Sequence, residues 1–319
     1  MNINISKTMA FTKRHNINLI VLAFAGICLM ASCSDDDDDE PSPAVTTPTP
    51  AANLNINLSG LEDLGASYAY EGWIMVNGTP ISTGTFTVDG NGQASKTGFN
   101  VDQTQLDAAT KFILTLEPVP DNDPAPSDQK LIAGDFIGNS ATISTSVAPA
   151  LGDFSNAAGS YFLRTPTDET GTNNGNDENG VWFGIPGMPP TAGFTLPTLP
   201  TGWAYEGWVV TSAGPISTGT FTAFNVSDAS NMFSGTAANA GPPIPGEDFF
   251  NNAPAGQTFP LDVRGKTVVI SVEPVPDNSP MPFLLKPLLS VVDVKAMTAP
   301  TSHTFGQNLS SLPTGTVNR

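Results

Sequence analysis

The residues best suited to chemistry are four glutamates, each in a short segment that occurs twice in the chain. Glu71 and Glu206 lie in identical Ala-Tyr-Glu-Gly-Trp segments, so that Trp73 and Trp208 follow them two positions later. A carboxyl group beside a buried aromatic ring can act as a general acid because burial raises its pKa. A carboxylate at the same place can instead bond backbone N–H groups and hold a loop. We favour this second, structural role, and we expect the tryptophans to be core residues before they are ligand platforms.

The other two glutamates, Glu117 and Glu273, each begin a Glu-Pro-Val-Pro-Asp-Asn segment. Proline cannot continue a central strand, so each glutamate is predicted to end a strand and to be followed by a turn. The oxygens of loop carboxylates are also the ligands that Ca²⁺ prefers. Two loops carry such groups, namely Asp121, Asn122 and Asp123 in one and Asp168, Glu169, Asp177 and Glu178 in the other. Neither has the spacing of an EF-hand loop, so we expect no cofactor and no metal, with Ca²⁺ as the alternative.

Other catalytic arrangements have little support in the sequence. The chain has two histidines, and His303 is the only one outside the N-terminal segment, so a Ser-His-Asp site is improbable. No phosphate-binding loop or dinucleotide fingerprint occurs where a strand would lead into a helix. We therefore expect a protein that is not an enzyme. The alternative is a carboxylate-dependent enzyme acting on glycans, which would need two carboxylates converging in a cleft about 5–9.5 Å apart.

The four glutamates belong to two copies of one unit. Residues 69–73 recur as 204–208 and residues 80–87 recur as 215–222, in both cases 135 positions later. The Glu-Pro-Val-Pro-Asp-Asn segment recurs 156 positions later, so the second copy is longer by the difference, 21 residues. Chance does not place several identical segments at matched offsets. The sequence therefore predicts two related domains.

Each copy is predicted to be all-β. Apolar residues alternate along one segment of each copy, Phe112, Leu114 and Leu116 in the first and Val268, Ile270 and Val272 in the second. A period of two residues is typical of a strand with one apolar face. The chain also has 30 Gly and 29 Pro, which favour short strands separated by turns over long helices. The fold class that these features predict is two tandem immunoglobulin-like β-sandwich domains.

The domain order follows from the repeats and from shifts in composition. We predict a lipoprotein signal peptide (1–32), an acidic and Pro/Thr-rich tether (33–52), a first sandwich (53–147), a second sandwich with a leading hairpin and an insertion near 225–260 (148–296), and a C-terminal tail without pattern (297–319). The signal and the tether are expected to be disordered.

The N-terminal residues predict a lipid anchor. A basic start and a short apolar run lead into Leu29-Met-Ala-Ser-Cys33, which resembles the lipobox of bacterial lipoproteins. Cys33 would then begin the mature chain and carry acyl chains such as palmitate, which hold a protein on a membrane. The acidic run 34–40 resembles an export signal to the outer face of the outer membrane. We expect a surface-exposed outer-membrane lipoprotein, with a periplasm-facing one as the alternative.

The charge of the chain limits its partners. The net charge is −18, and removal of residues 1–32 would leave 9 basic against 30 acidic residues, or −21. Such a chain is repelled by nucleic acid and by anionic lipid heads. We expect a membrane partner through the lipid anchor, an unidentified envelope protein or glycan, and no nucleic acid.

Each copy resembles the C-terminal, extracytoplasmic domain of bacterial anti-sigma-K factors, over residues 53–146 and 192–295. The first copy matches that family's pattern at Tyr70, Trp73, Pro80, Ser82, Gly84, Phe86 and Leu116-Glu117-Pro118. The second copy matches it at Leu199-Pro200, Tyr205, Trp208, Pro215, Ser217, Gly219, Phe221 and Val272-Glu273-Pro274. The family often has Gln where Glu71 and Glu206 stand, which favours a hydrogen-bonding role for both.

The resemblance implies a β fold and a role in binding or sensing. An anti-sigma factor of that family would also need a cytoplasmic helical domain and a spanning helix, which the sequence does not predict, so we expect no direct contact with a sigma factor. We expect a non-enzymatic binding, sensing or structural module of the envelope, or alternatively an accessory subunit of an anti-sigma system. The candidate binding residues are the four glutamates and two tryptophans of the repeated segments.

Overall fold

The computed structural model describes residues 50–169, 175, 177–229, 241–277 and 279–319. Strands dominate these residues, so the predicted all-β fold is confirmed. In chain order the strands are β1 (Ala51–Ser59), β2 (Tyr68–Val76), β3 (Thr79–Phe86), β4 (Gly98–Asp102), β5 (Lys111–Pro118), β6 (Lys130–Ile137), β7 (Ser140–Ile143), β8 (Ala158–Leu163), β9 (Gly180–Trp182), β10 (Gly184–Ile185), β11 (Thr191–Ala192), β12 (Phe194–Thr195), β13 (Trp203–Thr211), β14 (Gly214–Phe221), β15 (Gly246–Asp248), β16 (Thr267–Pro274), β17 (Leu288–Val291), β18 (His303–Thr304), β19 (Gly306–Gln307) and β20 (Thr314–Asn318).

Helical structure is confined to short segments. The only α-helix within the described ranges is α1 (Gln103–Ala108), and the Asp102 side chain caps it by accepting a hydrogen bond from the amide of Gln105 at 3.0 Å. The 3₁₀ turns are Pro166–Asp168, Asp177–Asn179 and Leu309–Ser311. None of the helical segments described has the length and apolar character needed to cross a bilayer.

The first copy forms most of an eight-stranded antiparallel sheet with the order β3-β2-β5-β6-β7-β20-β1-β4. Its two end strands approach each other, because the rings of Phe86 on β3 and Phe99 on β4 lie 6.0 Å apart. The sheet therefore curls around its own apolar side chains. Leu54 on β1 and Phe112 on β5 are fully buried inside it.

The second copy repeats the strand order of the first. Its main sheet runs β14-β13-β16-β17-β19, and the first four strands correspond to β3-β2-β5-β6. A separate sheet, β12-β8-β9-β15, carries β18 on β8, and β10 pairs with β11. Strands β8 and β9 form an antiparallel pair, in which Phe162 lies opposite Trp182 and Leu163 opposite Val181.

The predicted alternation along β5 and β16 is also confirmed. All six alternating apolar residues of these two strands are buried in the main hydrophobic cluster. The opposite face of β5 is covered too, since Ile113 packs with Trp73 and Ala133 in a smaller cluster. Both faces of these central strands are therefore buried, and side chains on either face meet few water molecules.

A β-bulge sets the register between the first two strands of each copy. Gly72 pairs with Gly84 but Trp73 pairs with Ser82, so Thr83 is an extra residue in β3. The Thr83 hydroxyl donates a hydrogen bond to the carbonyl of Gly72 at 2.9 Å, and Gly84 adopts a φ of 111° that favours glycine. The same shift occurs between β13 and β14. In both copies it brings a serine hydroxyl to the glutamate on the neighbouring strand.

The prediction that residues 297–319 form a tail without structure is wrong. Strand β20 lies between β1 and β7, β18 pairs with β8, and β19 pairs with β17. The Arg319 guanidinium then donates hydrogen bonds to the carbonyls of Leu106 and Ala109, both at 2.7 Å. The partners of these strands are far away in the sequence, so the segment itself carries no periodic pattern.

The two copies share a core. The chain from Pro48 to Arg319 forms one compact unit, and its largest buried cluster contains residues from both copies. The boundary predicted between residues 147 and 148 stays a prediction. The predicted signal and nearly all of the tether, including Cys33, lie outside the described residues, as do residues 230–240 of the predicted insertion.

Candidate functional site

The repeated glutamate and tryptophan of the first copy lie on one face of two paired strands. Glu71 on β2 is opposite Thr115 on β5, and Ala69 is opposite Glu117, so side chains of this register share a face. The Trp73 indole N–H donates a hydrogen bond to the Thr115 hydroxyl at 2.9 Å. That hydroxyl donates in turn to the Glu117 carboxylate. A buried indole, a hydroxyl and a carboxylate thus form a continuous hydrogen-bonded row.

The second copy builds the same row with a different hydroxyl. Trp208 donates a hydrogen bond through its indole N–H to the Ser271 hydroxyl at 2.8 Å, and Ser271 donates to Glu273. Serine and threonine share only the hydroxyl and the β-carbon. The hydroxyl is therefore the group that the arrangement needs. Both tryptophans are buried, as a core role requires.

Glu117 and Glu273 also hold the chain that returns after the Glu-Pro turn. The amide of Ser127 donates to Glu117 at 2.9 Å, and the amide of Phe283 donates to both oxygens of Glu273 at 2.9 and 3.1 Å. The structural role that the sequence suggests for Glu71 and Glu206 is thus performed by this other pair. Burial raises the pKa of Glu273 to about 7, against the opposing effect of the Ser271 hydroxyl and the Phe283 amide.

Glu71 and Glu206 are bound by hydroxyl groups instead of backbone amides. Ser82 donates to Glu71 and Ser217 donates to Glu206, which is the contact that the β-bulge makes available. Burial is the main cause that raises the pKa of Glu71, and it raises the pKa of Glu206 to about 8. The Ser217 hydroxyl opposes this rise, and the charge of Glu273 adds to it.

Three carboxylates converge in the second copy. Glu206, Glu273 and Asp277 each offer an oxygen within 4.8 Å of an oxygen of the other two, and no other group of His, Cys, Asp or Glu among the described residues does so. The equivalent side chains of the first copy, on Glu71, Glu117 and Asp121, do not converge to this distance. Sequence reasoning placed Asp277 only in a turn. The feature of the sequence that could have identified Asp277 is an aspartate four residues after the glutamate, which occurs in both copies.

A cleft of about 650 Å³ lies where the two copies meet. The Gln129 side-chain amide of the first copy donates to the Val275 carbonyl of the second at 2.6 Å beside it. No Lys, Arg or His is among the described residues of the cleft wall, which are Glu62, Asp63, Leu64, Gly65, Ala66, Ser67, Tyr68, Leu116, Pro118, Gln129, Glu273, Pro274, Val275, Pro276, Asp277, Ser279, Pro280 and Phe283. Two of the residues with converging carboxylates, Glu273 and Asp277, thus line the cleft.

The cleft also contains a partly buried acid from the first copy. Burial raises the pKa of Glu62 to about 7, and the charge of Lys286 on the second copy opposes this rise. The backbone of Glu62 is fixed separately, because its carbonyl accepts a hydrogen bond from the Tyr70 hydroxyl at 2.9 Å. In the second copy the Tyr205 hydroxyl donates in the same way to the carbonyl of Pro197 at 2.6 Å. Each copy therefore ties the loop before its first repeated strand to a buried tyrosine.

The loop carboxylates that could have bound Ca²⁺ are engaged in protein contacts. Asp121 accepts the amide of Asp123 at 2.9 Å, which is ordinary turn chemistry. In the hairpin loop, Glu169 pairs with Arg164. These contacts do not occupy every oxygen of these loops, since Oδ2 of Asp168 has no hydrogen-bond partner among the described residues, and the Ca²⁺ alternative stays a prediction. Residues 170–174 and 176 of that loop lie outside the described residues.

The comparisons with known proteins give one match. Residues 27–130 match the family model described as "Anti-sigma-K factor rskA, C-terminal". The match covers about a third of the chain and includes β1 to β5, the strands that carry Glu71, Trp73 and Glu117. The comparison with curated proteins and the comparison with solved structures each find no match. The chain therefore contains, in residues 27–130, a module similar to the C-terminal domain of anti-sigma-K factors.

Proposed function

We propose that this chain is a non-enzymatic binding or sensing module of the bacterial cell envelope. In this proposal an acylated Cys33 holds the chain at the outer membrane, and residues 192–295 are a second copy of the anti-sigma-factor-like domain. The cleft between the two copies is the binding site. That cleft is the observation that carries the proposal, because it exists only where loops of both copies meet.

The wall of the cleft supports a definite ligand chemistry. Proline rings and other apolar groups supply most of its surface, and its ionisable groups are acidic. Apolar pockets with a few convergent polar groups are the usual form of a binding site. An anionic ligand would be repelled by the acidic groups and by the net charge of −18. The ligand that fits is an apolar, neutral or positively charged segment of an envelope protein.

The hydrogen bonding of the glutamates supports a role without catalysis. Glu117 and Glu273 each accept a hydroxyl and a backbone amide, so both carboxylates take part in the hydrogen bonding that holds the chain after the Glu-Pro turn.

The proposed location is supported by the sequence. The lipobox-like segment before Cys33 and the acidic run behind it are features of exported lipoproteins. The Pro/Thr-rich tether that follows would extend by about 3.1 Å per residue and present the module to partners away from the membrane.

A crosslinking experiment in cells with a matched pair of variants tests the binding role. Val275 is 46% exposed and lines the cleft, whereas Val291 is 68% exposed on β17 and does not line it. The full chain is crosslinked in intact cells, and the products of Val275→Asp and Val291→Asp are compared with those of the wild type. We expect Val275→Asp to lose the specific product and Val291→Asp to keep it. Equal products from both variants would contradict a binding site in the cleft.

The anchor is tested separately by cell fractionation. We expect the wild type in the membrane fraction and Cys33→Ala in the soluble fraction. Membrane association of Cys33→Ala equal to that of the wild type would contradict the anchor without affecting the result for the cleft.

A further inference from the structure

One carboxylate oxygen of the second copy is buried without a partner. Glu206 is 5% exposed, and its Oε1 accepts the Ser217 hydroxyl, but its Oε2 has no hydrogen-bond partner among the described residues. A buried charged oxygen without a donor or a cation is costly. Carboxylates cannot serve each other, since all of their oxygens are acceptors when ionised. When the three acids are ionised, this oxygen needs a cation or a hydrogen-bond donor that the described residues do not supply.

The neighbours of this oxygen are further carboxylates. Glu206 lies opposite Ser271 on the paired strand β16, so that Glu273, two residues on, shares its face. Asp277 approaches from the turn after Glu273. Lys286 attracts Glu273, but within the described residues it forms no ion pair with any of the three acids. Ser217 and Ser271 donate hydrogen bonds to two of the acids, but among the described residues no basic side chain forms an ion pair with the cluster.

We propose that Glu206, Glu273 and Asp277 bind a Ca²⁺ ion at the wall of the cleft between the two copies. The role is independent of the lipid anchor and of the ligand that the cleft takes. It differs from the loop sites considered from the sequence, because the three acids come from strands β13 and β16 and the turn after β16.

The spacing of the three carboxylates is compatible with a Ca²⁺ ion. Ca²⁺ binds six to eight oxygens at about 2.3–2.6 Å, so two oxygens on opposite sides of the ion lie about 4.8 Å apart. The three carboxylates offer oxygens within this distance. Water entering from the cleft, which Glu273 and Asp277 line, would complete the coordination. Mg²⁺ binds at about 2.0–2.1 Å, demands near-ideal octahedral geometry and usually keeps several waters, so the more flexible coordination of Ca²⁺ suits a site of three carboxylates better.

The first copy provides matched controls. Glu71 and Asp121 correspond to Glu206 and Asp277 in the repeat, but their cluster does not converge. Glu206→Gln and Glu71→Gln make the same chemical change at equivalent positions, as do Asp277→Asn and Asp121→Asn. These pairs also control for weak cation binding by the acidic run 34–40, which is the same in all variants.

Calorimetric titration of the purified full chain with CaCl₂ tests the proposal. We expect the wild type to bind one Ca²⁺ with a Kd of about 10⁻⁴–10⁻³ M, the range of extracellular modules. Glu206→Gln and Asp277→Asn should each weaken binding about tenfold or more, while Glu71→Gln and Asp121→Asn leave it unchanged. A parallel titration with MgCl₂ should give weaker binding.

A second readout uses Tb³⁺, which replaces Ca²⁺ and emits when a nearby indole is excited. Trp208 is linked to Glu273 through Ser271, so Trp208→Phe should reduce the sensitised emission strongly and Trp73→Phe should leave it unchanged. The thermal unfolding midpoint of each variant without cations shows that it folds. Absence of Ca²⁺ binding at about 10 mM would overturn the proposal. Equal binding by Glu206→Gln and Glu71→Gln, with both folded, would also overturn it.

Discussion

Replacement of Thr115 by valine should destabilise the protein although it barely changes the shape of the side chain. Thr115 is fully buried, accepts the Trp73 indole N–H and donates to Glu117. Valine fills the same volume but offers neither group. The Trp73 indole N–H would lose its acceptor, and the Glu117 carboxylate would lose one of its donors. Both groups are buried, so water does not replace the lost partner.

The expected decrease in the free energy of unfolding comes from the two groups that lose a hydrogen-bond partner. A buried polar group left unsatisfied costs about 1–3 kcal/mol, and the cost is at the upper end for a charged group. Glu117 keeps the Ser127 amide, so its loss is partial. We expect Thr115→Val to lower the free energy of unfolding by about 2–5 kcal/mol. Thr115→Ser keeps the hydroxyl and removes one methyl group, which costs about 1 kcal/mol.

The second copy supplies the matched test. Ser271 takes the place of Thr115 there, so Ser271→Ala should also be strongly destabilising, and Ser271→Thr should keep the Trp208 hydrogen bond. Equilibrium unfolding in urea, followed by tryptophan fluorescence, measures all four variants of the full chain. The reasoning is refuted if Thr115→Val is as stable as Thr115→Ser, because the hydroxyl would then contribute nothing.

Three further predictions concern other parts of the molecule. Burial raises the pKa of Glu62 from 4.5 to about 7, so the folded state favours the protonated acid. The contribution of Glu62 to the free energy of unfolding is therefore fully present below about pH 4.5 and is lost as the pH rises through about 7. Glu62→Gln should flatten this decline in urea unfolding profiles, and profiles parallel to those of the wild type would contradict it. A Cβ at Gly207 would overlap Phe183 and Thr218, so Gly207→Ala should lower the unfolding free energy by about 1–3 kcal/mol, whereas Gly90→Ala, with open space around it, should not. Deletion of residues 314–319 removes β20 from between β1 and β7 and should leave a chain that limited proteolysis degrades rapidly, whereas a protease-resistant core equal to that of the wild type would contradict the sheet order.

The sequence predicted the strands that have a clear residue pattern of their own. The alternation along β5 and β16 has a period of two, and the turn residues around it are strong signals. Strand β20 could not be predicted in this way, because Val317 is its only buried residue and its partners, β1 and β7, lie more than 150 positions earlier in the sequence. The shared core of the two copies depends on the same distant pairing.

The site was predicted in part. The repeats identified Glu206 as the counterpart of Glu71 and Glu273 as the counterpart of Glu117, and strand parity placed Glu206 on the face of Trp208. Two features depend on tertiary structure and left no separate signal. The first is the β-bulge that brings Ser217 to Glu206. The second is the turn that brings an oxygen of Asp277 within 4.8 Å of oxygens of Glu206 and Glu273, which the equivalent turn of the first copy does not do.

Mass spectrometry of the mature protein isolated from cell membranes is the most direct test of an acylated envelope module. The account predicts an N-terminal peptide that begins at Cys33 and carries acyl chains on that residue. A mature chain that retains residues before Cys33, or that begins at Cys33 without acyl groups, would contradict it.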